Sequence, residues 1–89
     1  MNKVTFNATG YIKSINSYNS ANGAYDFAVI KSEKTTIGVN IFDDELMAQI
    51  EDHEGELVSI DGTVSNYKTK KGEFRINFTA TNITFDDAD

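Results

Sequence analysis

The chain has 89 residues, 39% of them hydrophobic, with four Tyr, six Phe, no Cys, no Trp, no Pro and a formal net charge of −6. That length fits one small domain with one modest core, and the lack of Cys excludes disulfides, a thiolate nucleophile and a Cys-based metal site. No apolar run approaches the ~20 residues of a membrane-spanning helix, and the acidic balance argues against indiscriminate binding to polyanions.

The opening MNKVTFNATG has no apolar signal region, so a cytoplasmic location is expected. Residues 3–15, KVTFNATGYIKSI, alternate: Val4, Phe6, Ala8, Gly10 and Ile12 face one way, and Thr5, Asn7, Thr9, Tyr11 and Lys13 the other. Period two with β-branched and aromatic residues predicts a half-buried strand, bent or bulged at Gly10. Residues 16–23, NSYNSANG, are a cluster of turn formers and predict a hairpin loop.

AYDFAVIKS predicts a second strand whose two faces are both apolar, Tyr25, Phe27 and Val29 against Ala28 and Ile30. Either set can face the core, so the register of this strand stays open. After a turn at EKT, TIGVNIF predicts a third strand. The period then changes: DDELMAQIEDHEG predicts a helix of two to three turns, with Asp43 or Asp44 as N-cap and Gly55 as C-terminal cap. Leu46, Met47 and Ile50 form its apolar stripe. ELVSIDGTVSNY and FRINFTATNITF predict the last two strands, joined by the tip KTKKGE, with a register shift near Asn82. Residues 1–85 therefore form one domain, and 86–89, DDAD, an acidic end.

The order strand, strand, strand, helix, strand, strand is that of an all-β protein with one small helix. A small antiparallel sheet must hide its edges, and closure into a five-stranded antiparallel Greek-key OB-fold barrel does so. The helix between strands three and four then plugs one end. A flat sheet covered by one helix is the second choice.

Residues 55–83, GELVSIDGTVSNYKTKKGEFRINFTATNI, together with GYIKSI in strand one, resemble the OB-fold single-stranded DNA-binding proteins. The resemblance spans nearly the whole chain as a pattern. It implies single-stranded DNA binding with little sequence preference in replication or recombination. The small size is similar to phage or mobile-element members. The acidic end resembles the tip with which such proteins recruit partners, without their long linker or terminal apolar residue.

The residue chemistry points the same way. A single strand needs cations for its phosphates and exposed rings for its bases, and in OB-folds the ligand lies across strands two and three between the first and last hairpin loops. Half of the eight basic residues, Lys68, Lys70, Lys71 and Arg75, fall in SNYKTKKGEFRINF beside Tyr67. With Lys13 they would neutralise phosphates, while Tyr11, Tyr25, Phe27 and Tyr67 would stack on bases. Tyr18 sits in the first loop, and Phe6, Phe42, Phe74, Phe78 and Phe85 are expected in the core or against the helix. Asp26 and Glu33, near this face, count against it.

The seven carboxylates between Asp43 and Glu56 read as a solvated helix with dipole compensation at its start, and the lone His53 as a surface residue. No nucleophile with a base, no phosphate-cradling loop and no metal spacing is present, so neither catalysis nor a cofactor is expected. Expected partners are single-stranded DNA, or RNA, since no residue identifies a reader of the 2′-hydroxyl. Further copies of the chain and replication proteins are other expected partners; a membrane is not. The competing reading is an acidic protein-interaction module, or nucleic-acid mimic, that binds a basic protein.

Overall fold

The computed structural model describes residues 3–21 and 23–85. The acidic end 86–89 lies outside the described residues. The elements follow the expected order: β1 (Val4–Ser20), β2 (Gly23–Lys31), β3 (Thr36–Ile41), α1 (Asp44–Glu51), β4 (Leu57–Lys68) and β5 (Phe74–Phe85).

The strands form one sheet in the order β1-β2-β3-β5-β4, which closes on itself. The expectation of an antiparallel sheet is corrected at one seam, where β3 and β5 run parallel and meet at Asn40 and Thr79. The reason is topological. Strand directions must alternate for antiparallel pairing, and five strands cannot alternate all the way round a ring. One parallel seam is unavoidable, and it falls where β3 meets β5.

β1 serves two partners. Val4–Tyr11 pair with β4 and Tyr11–Ser20 with β2. The register shift lies between Ile12 and Ser14, at Lys13 rather than at Gly10. Gly10 instead permits a close approach. A Cβ there would stand 2.6 Å from the Lys31 carbonyl oxygen, so its lack of a side chain lets β2 close against β1. Gly62 does the same for β5, where a Cβ would stand 1.9 Å from the Thr79 oxygen.

Ile12, Ile30, Val39, Ile41, Val58 and Ile60 fill the barrel, and each is almost completely buried. α1 closes one end. Its Ile50 is fully buried, while Leu46 and Met47 pack beside it. Asp43 is the N-cap, its Oδ1 accepting from the backbone N–H of Glu45 at 2.9 Å and of Leu46 at 3.1 Å. The C-cap is Asp52, not Gly55. Gly55, at φ +89°, instead turns the chain back onto β1, donating its N–H to the Ile12 carbonyl at 2.9 Å. His53 is half-buried, stacked on Phe85 at 3.9 Å.

The expected loop at 16–23 is mostly strand. β1 continues to Ser20 and pairs with β2 as far as Ser20 and Gly23. The Asn and Ser residues here lie in a two-stranded ribbon that runs past the core. Both of its faces meet water, so nothing selects apolar alternation. The β4–β5 pair overruns the barrel in the same way, and the molecule measures 47 × 28 × 26 Å.

Candidate nucleic-acid interface

The alternation of β2 settles its register. Asp26, Ala28 and Ile30 are buried, and Tyr25, Phe27 and Val29 are half-buried on the outer face. Cross-strand partners share a face, so the pairing defines rows of side chains across the outside of the sheet. One row is aromatic. Tyr18 of β1 pairs with Tyr25 of β2, their ring centroids 5.5 Å apart and stacked. Phe42, just beyond β3, lies 5.1 Å on the other side of Tyr25. The next row reads Asn16, Phe27, Asn40 and Thr79, one aromatic between carboxamides.

Phe27 has a seat prepared for it. Its ring lies over Gly38, so closely that a Cβ at Gly38 would fall 2.0 Å from Phe27 Cζ. A cleft of ≈ 310 Å³ opens beside the ring, lined by Gly38 and Asn40 of β3 and by Ile76, Asn77 and Phe78 of β5. Its β5 wall is the root of the arm that carries the basic residues.

At the tip of the arm Thr69 N–H donates to the Glu73 carbonyl at 2.8 Å, and Gly72 takes the left-handed φ of +87° that the turn requires. Lys68, Lys70 and Lys71 are exposed around this turn. Tyr67 and Arg75 pair across the arm, both exposed. Arg75 Nη2 donates to Glu73 Oε2 at 2.9 Å, which ties part of its charge to a carboxylate. Phe74 and Ile76, 71% and 63% exposed, alternate with Arg75 on the opposite face.

Tyr11 and Lys13 stand apart from the aromatic row. The bulge at Lys13 shifts β1 from odd residues outward (Tyr11, Lys13) to even residues outward (Asn16, Tyr18). Tyr11 pairs with Lys31 on one side and Leu57 on the other. Lys31 follows Val29 on the outer face of β2, about 13 Å beyond Phe27 at the usual strand rise. The predicted residues thus fall into three groups: Tyr25 and Phe27 on the β2 face, Tyr67 with Lys68, Lys70, Lys71 and Arg75 on the arm, and Tyr11 with Lys13 at the far end of β2.

Three expectations need correction. Phe42 is 52% exposed and Phe74 71%, so neither belongs to the core. Phe42 sits one residue past β3, where the outer face continues, and Phe74 sits where the arm has left the barrel. Asp26 is not on the outer face. It is 1% exposed and points inward, its Oδ1 accepting from Ser17 Oγ at 2.7 Å. Its Oδ2 is buried without an N–H or hydroxyl donor. Glu51 of α1 faces it. The hydrogen bond between the two carboxyl groups, then the charges of Asp26 and Asp52 with some desolvation, raise the Glu51 pKa above the usual carboxylate range.

The helix carboxylates and the basic tip stand far apart. The carboxylates of 43–56 lie around α1. The basic tip lies at the other end of β4, up to about 36 Å away along that strand. A Debye length of roughly 8 Å at physiological salt separates the two fields, so a net charge of −6 does not prevent a locally positive arm. Among the described residues no group of three or more His, Cys, Asp or Glu side chains could hold a metal ion, and no helix is long and apolar enough to cross a membrane.

No protein-family model matches the chain, and no curated protein does either. Solved structures do. The mitochondrial single-stranded DNA-binding protein Rim1 of S. cerevisiae superposes with a TM-score of 0.82 at 18% identity, over 96% of this chain and 95% of that one. A second crystal form of Rim1 gives 0.82 at 16%, over 94% and 96%. The small single-stranded DNA-binding protein of Streptomyces coelicolor gives 0.61 at 17%, over 99% and 98%. At these identities the likeness shows the fold: five strands and one short helix in the arrangement of an OB-fold.

Proposed function

We propose that this chain binds single-stranded DNA with little sequence preference, in DNA replication or recombination. The observation that carries this reading is one continuous outer surface. It runs from the Tyr18–Tyr25–Phe42 row, over Phe27 on its glycine seat, through the cleft beside β5 and onto the basic arm. Rings offer π-faces to any base, and the lysines offer charge to any phosphate. The neighbouring side chains are mostly small and polar, which suits tolerance of sequence. The fold shared with proteins named for single-stranded DNA binding supports the same reading.

Each stacked base contributes about 1–3 kcal/mol, so three or four rings suffice for useful affinity. Assembly of several copies would raise it further through effective concentration. We further propose a cytoplasmic location, a phage or mobile-element setting, and replication proteins as further partners.

The test is direct, because without Trp the intrinsic emission comes from four tyrosines, two of them in the aromatic row. Titration with an oligo(dT) of a few tens of nucleotides at low salt should quench that emission. Added salt should weaken the complex with a slope near −0.7 per phosphate contacted. Quenching that fails to appear at low salt removes this reading and leaves an acidic module for a basic protein.

A further inference from the structure

A second pocket lies outside the aromatic face. It is a pocket of ≈ 520 Å³ at the other end of β2, lined by Tyr11, Lys13, Lys31, Glu33 and Leu57, among others. Its geometry follows from β1. Tyr11 is the one residue of that strand paired on both edges, with Leu57 of β4 and Lys31 of β2. The three side chains therefore form a single row, apolar, aromatic, cationic. Gly10 lets the Lys31 backbone close on β1 beneath them. Lys13 stands at the bulge, and Glu33 adds one carboxylate to the lining.

We infer that this pocket is a second nucleotide-binding subsite, in which Tyr11 stacks on a base and Lys13 and Lys31 hold the adjoining phosphates. This rests on the proposed single-strand reading and extends it. Three observations favour a nucleic acid strand over an acidic peptide. The pocket continues the proposed surface, because Tyr25, Phe27, Val29 and Lys31 succeed one another on the outer face of β2. Tyr11 is 59% exposed, so its ring remains available to a flat partner. Lys13, two residues along β1, and Lys31, the cross-strand partner of Tyr11, line the same pocket as the ring. A strand lying on Phe27 reaches Lys31 after about 13 Å, within the span of the longer sites that single OB-folds occupy.

The experiment compares a short and a long strand, dT4 and dT16, which bracket the known site sizes of about 4–16 nucleotides. Proteins are wild type, Tyr11→Ala, Lys13→Gln/Lys31→Gln and Phe27→Ala, with thermal melts as a check on folding. Tyr11→Phe, which keeps the ring, guards against an unfolded Tyr11→Ala. The inference expects Tyr11→Ala to weaken dT16 about 5- to 150-fold, the equivalent of one stacked base, with dT4 unchanged and Tyr11→Phe near wild type. The double Gln variant should make the dT16 salt slope shallower by about 1.4. If dT16 binding is untouched in both pocket variants while Phe27→Ala weakens both strands, the subsite is wrong and the proposed function stands. If no protein binds either strand at low salt, both fall. If an acidic peptide ending in Phe binds and loses affinity in the Gln variant while dT16 does not, the pocket is a protein site and the inference is overturned.

Discussion

Gly38→Ala is the most informative single change. The added methyl would sit 2.0 Å from Phe27 Cζ and 2.6 and 2.8 Å from its two Cε atoms. No carbon pair tolerates that approach, so the Phe27 ring must leave its seat. The β3 backbone need not move, since the obstructing atoms are the far end of a side chain. Folding stability should therefore fall only by the ring's lost burial, about 1–2 kcal/mol. For a domain of this size that is roughly 4–16 °C in Tm. Binding should fall by one displaced stacking platform, about 1–3 kcal/mol or 5- to 150-fold in Kd. The assay is Tyr-emission titration with oligo(dT) beside a thermal melt, for Gly38→Ala, Phe27→Ala and the double variant. Because the glycine acts through the ring, the double variant should bind no more weakly than Phe27→Ala alone. Wild-type affinity in Gly38→Ala, or losses that add in the double variant, would refute the seat as part of the site.

Three further outcomes follow from the fold. The Glu51 carboxyl keeps its proton to higher pH in the folded chain than in the unfolded one, so its contribution is complete below the ordinary glutamate range and is lost as pH rises through the raised value. Melts across that range should show stability falling with pH, and Glu51→Gln, which offers Asp26 a permanent donor, should flatten the profile; an unchanged profile would dismiss the pairing. Gly62→Ala should destabilise far more than Gly38→Ala, because its methyl would meet the Thr79 backbone oxygen at 1.9 Å rather than a movable ring, as chemical denaturation would report. Asp43→Ala should cost about 1 kcal/mol through the lost cap while leaving oligo(dT) affinity unchanged.

Where one face of an element is buried, its limits can be read from alternation. β5 begins at Phe74 and ends at Phe85, as its period-two pattern indicates, and its irregularity falls opposite Asp61 and Gly62, beside the expected Asn82. The helix stripe of Leu46, Met47 and Ile50 is likewise the face that closes the barrel. Legibility ends where burial ends. Asn16–Ser20 form a strand with water on both sides, so their composition resembles a turn. Phe74 and Ile76 keep the inward phase of β5 after the barrel has ended, and an apolar residue looks the same in sequence whether or not anything covers it.

The site was legible in its residue types and less so in its grouping. Tyr25 and Phe27 could be exposed or buried until Asp26, a charged residue, proved to occupy the inner face beneath α1. A buried carboxylate runs against the rule that inner positions are apolar, and only its neighbours Ser17 and Glu51 explain it. One extra residue at Lys13 reverses the outward phase of β1, which separates Tyr11 from Tyr18 although both are tyrosines on one strand. Phe42 joined the aromatic row through its 5.1 Å contact with Tyr25, a juxtaposition across strands that no local pattern carries.

The most direct measurement is the salt dependence of oligo(dT) affinity for the wild type and for Lys68→Ala/Lys70→Ala/Lys71→Ala. If the basic arm continues the aromatic face, the triple variant should bind more weakly, with a slope shallower by about 2, three contacts at roughly 0.7 each. An identical slope and affinity in the two proteins would mean that the arm does not touch the strand, and the continuous surface would be contradicted.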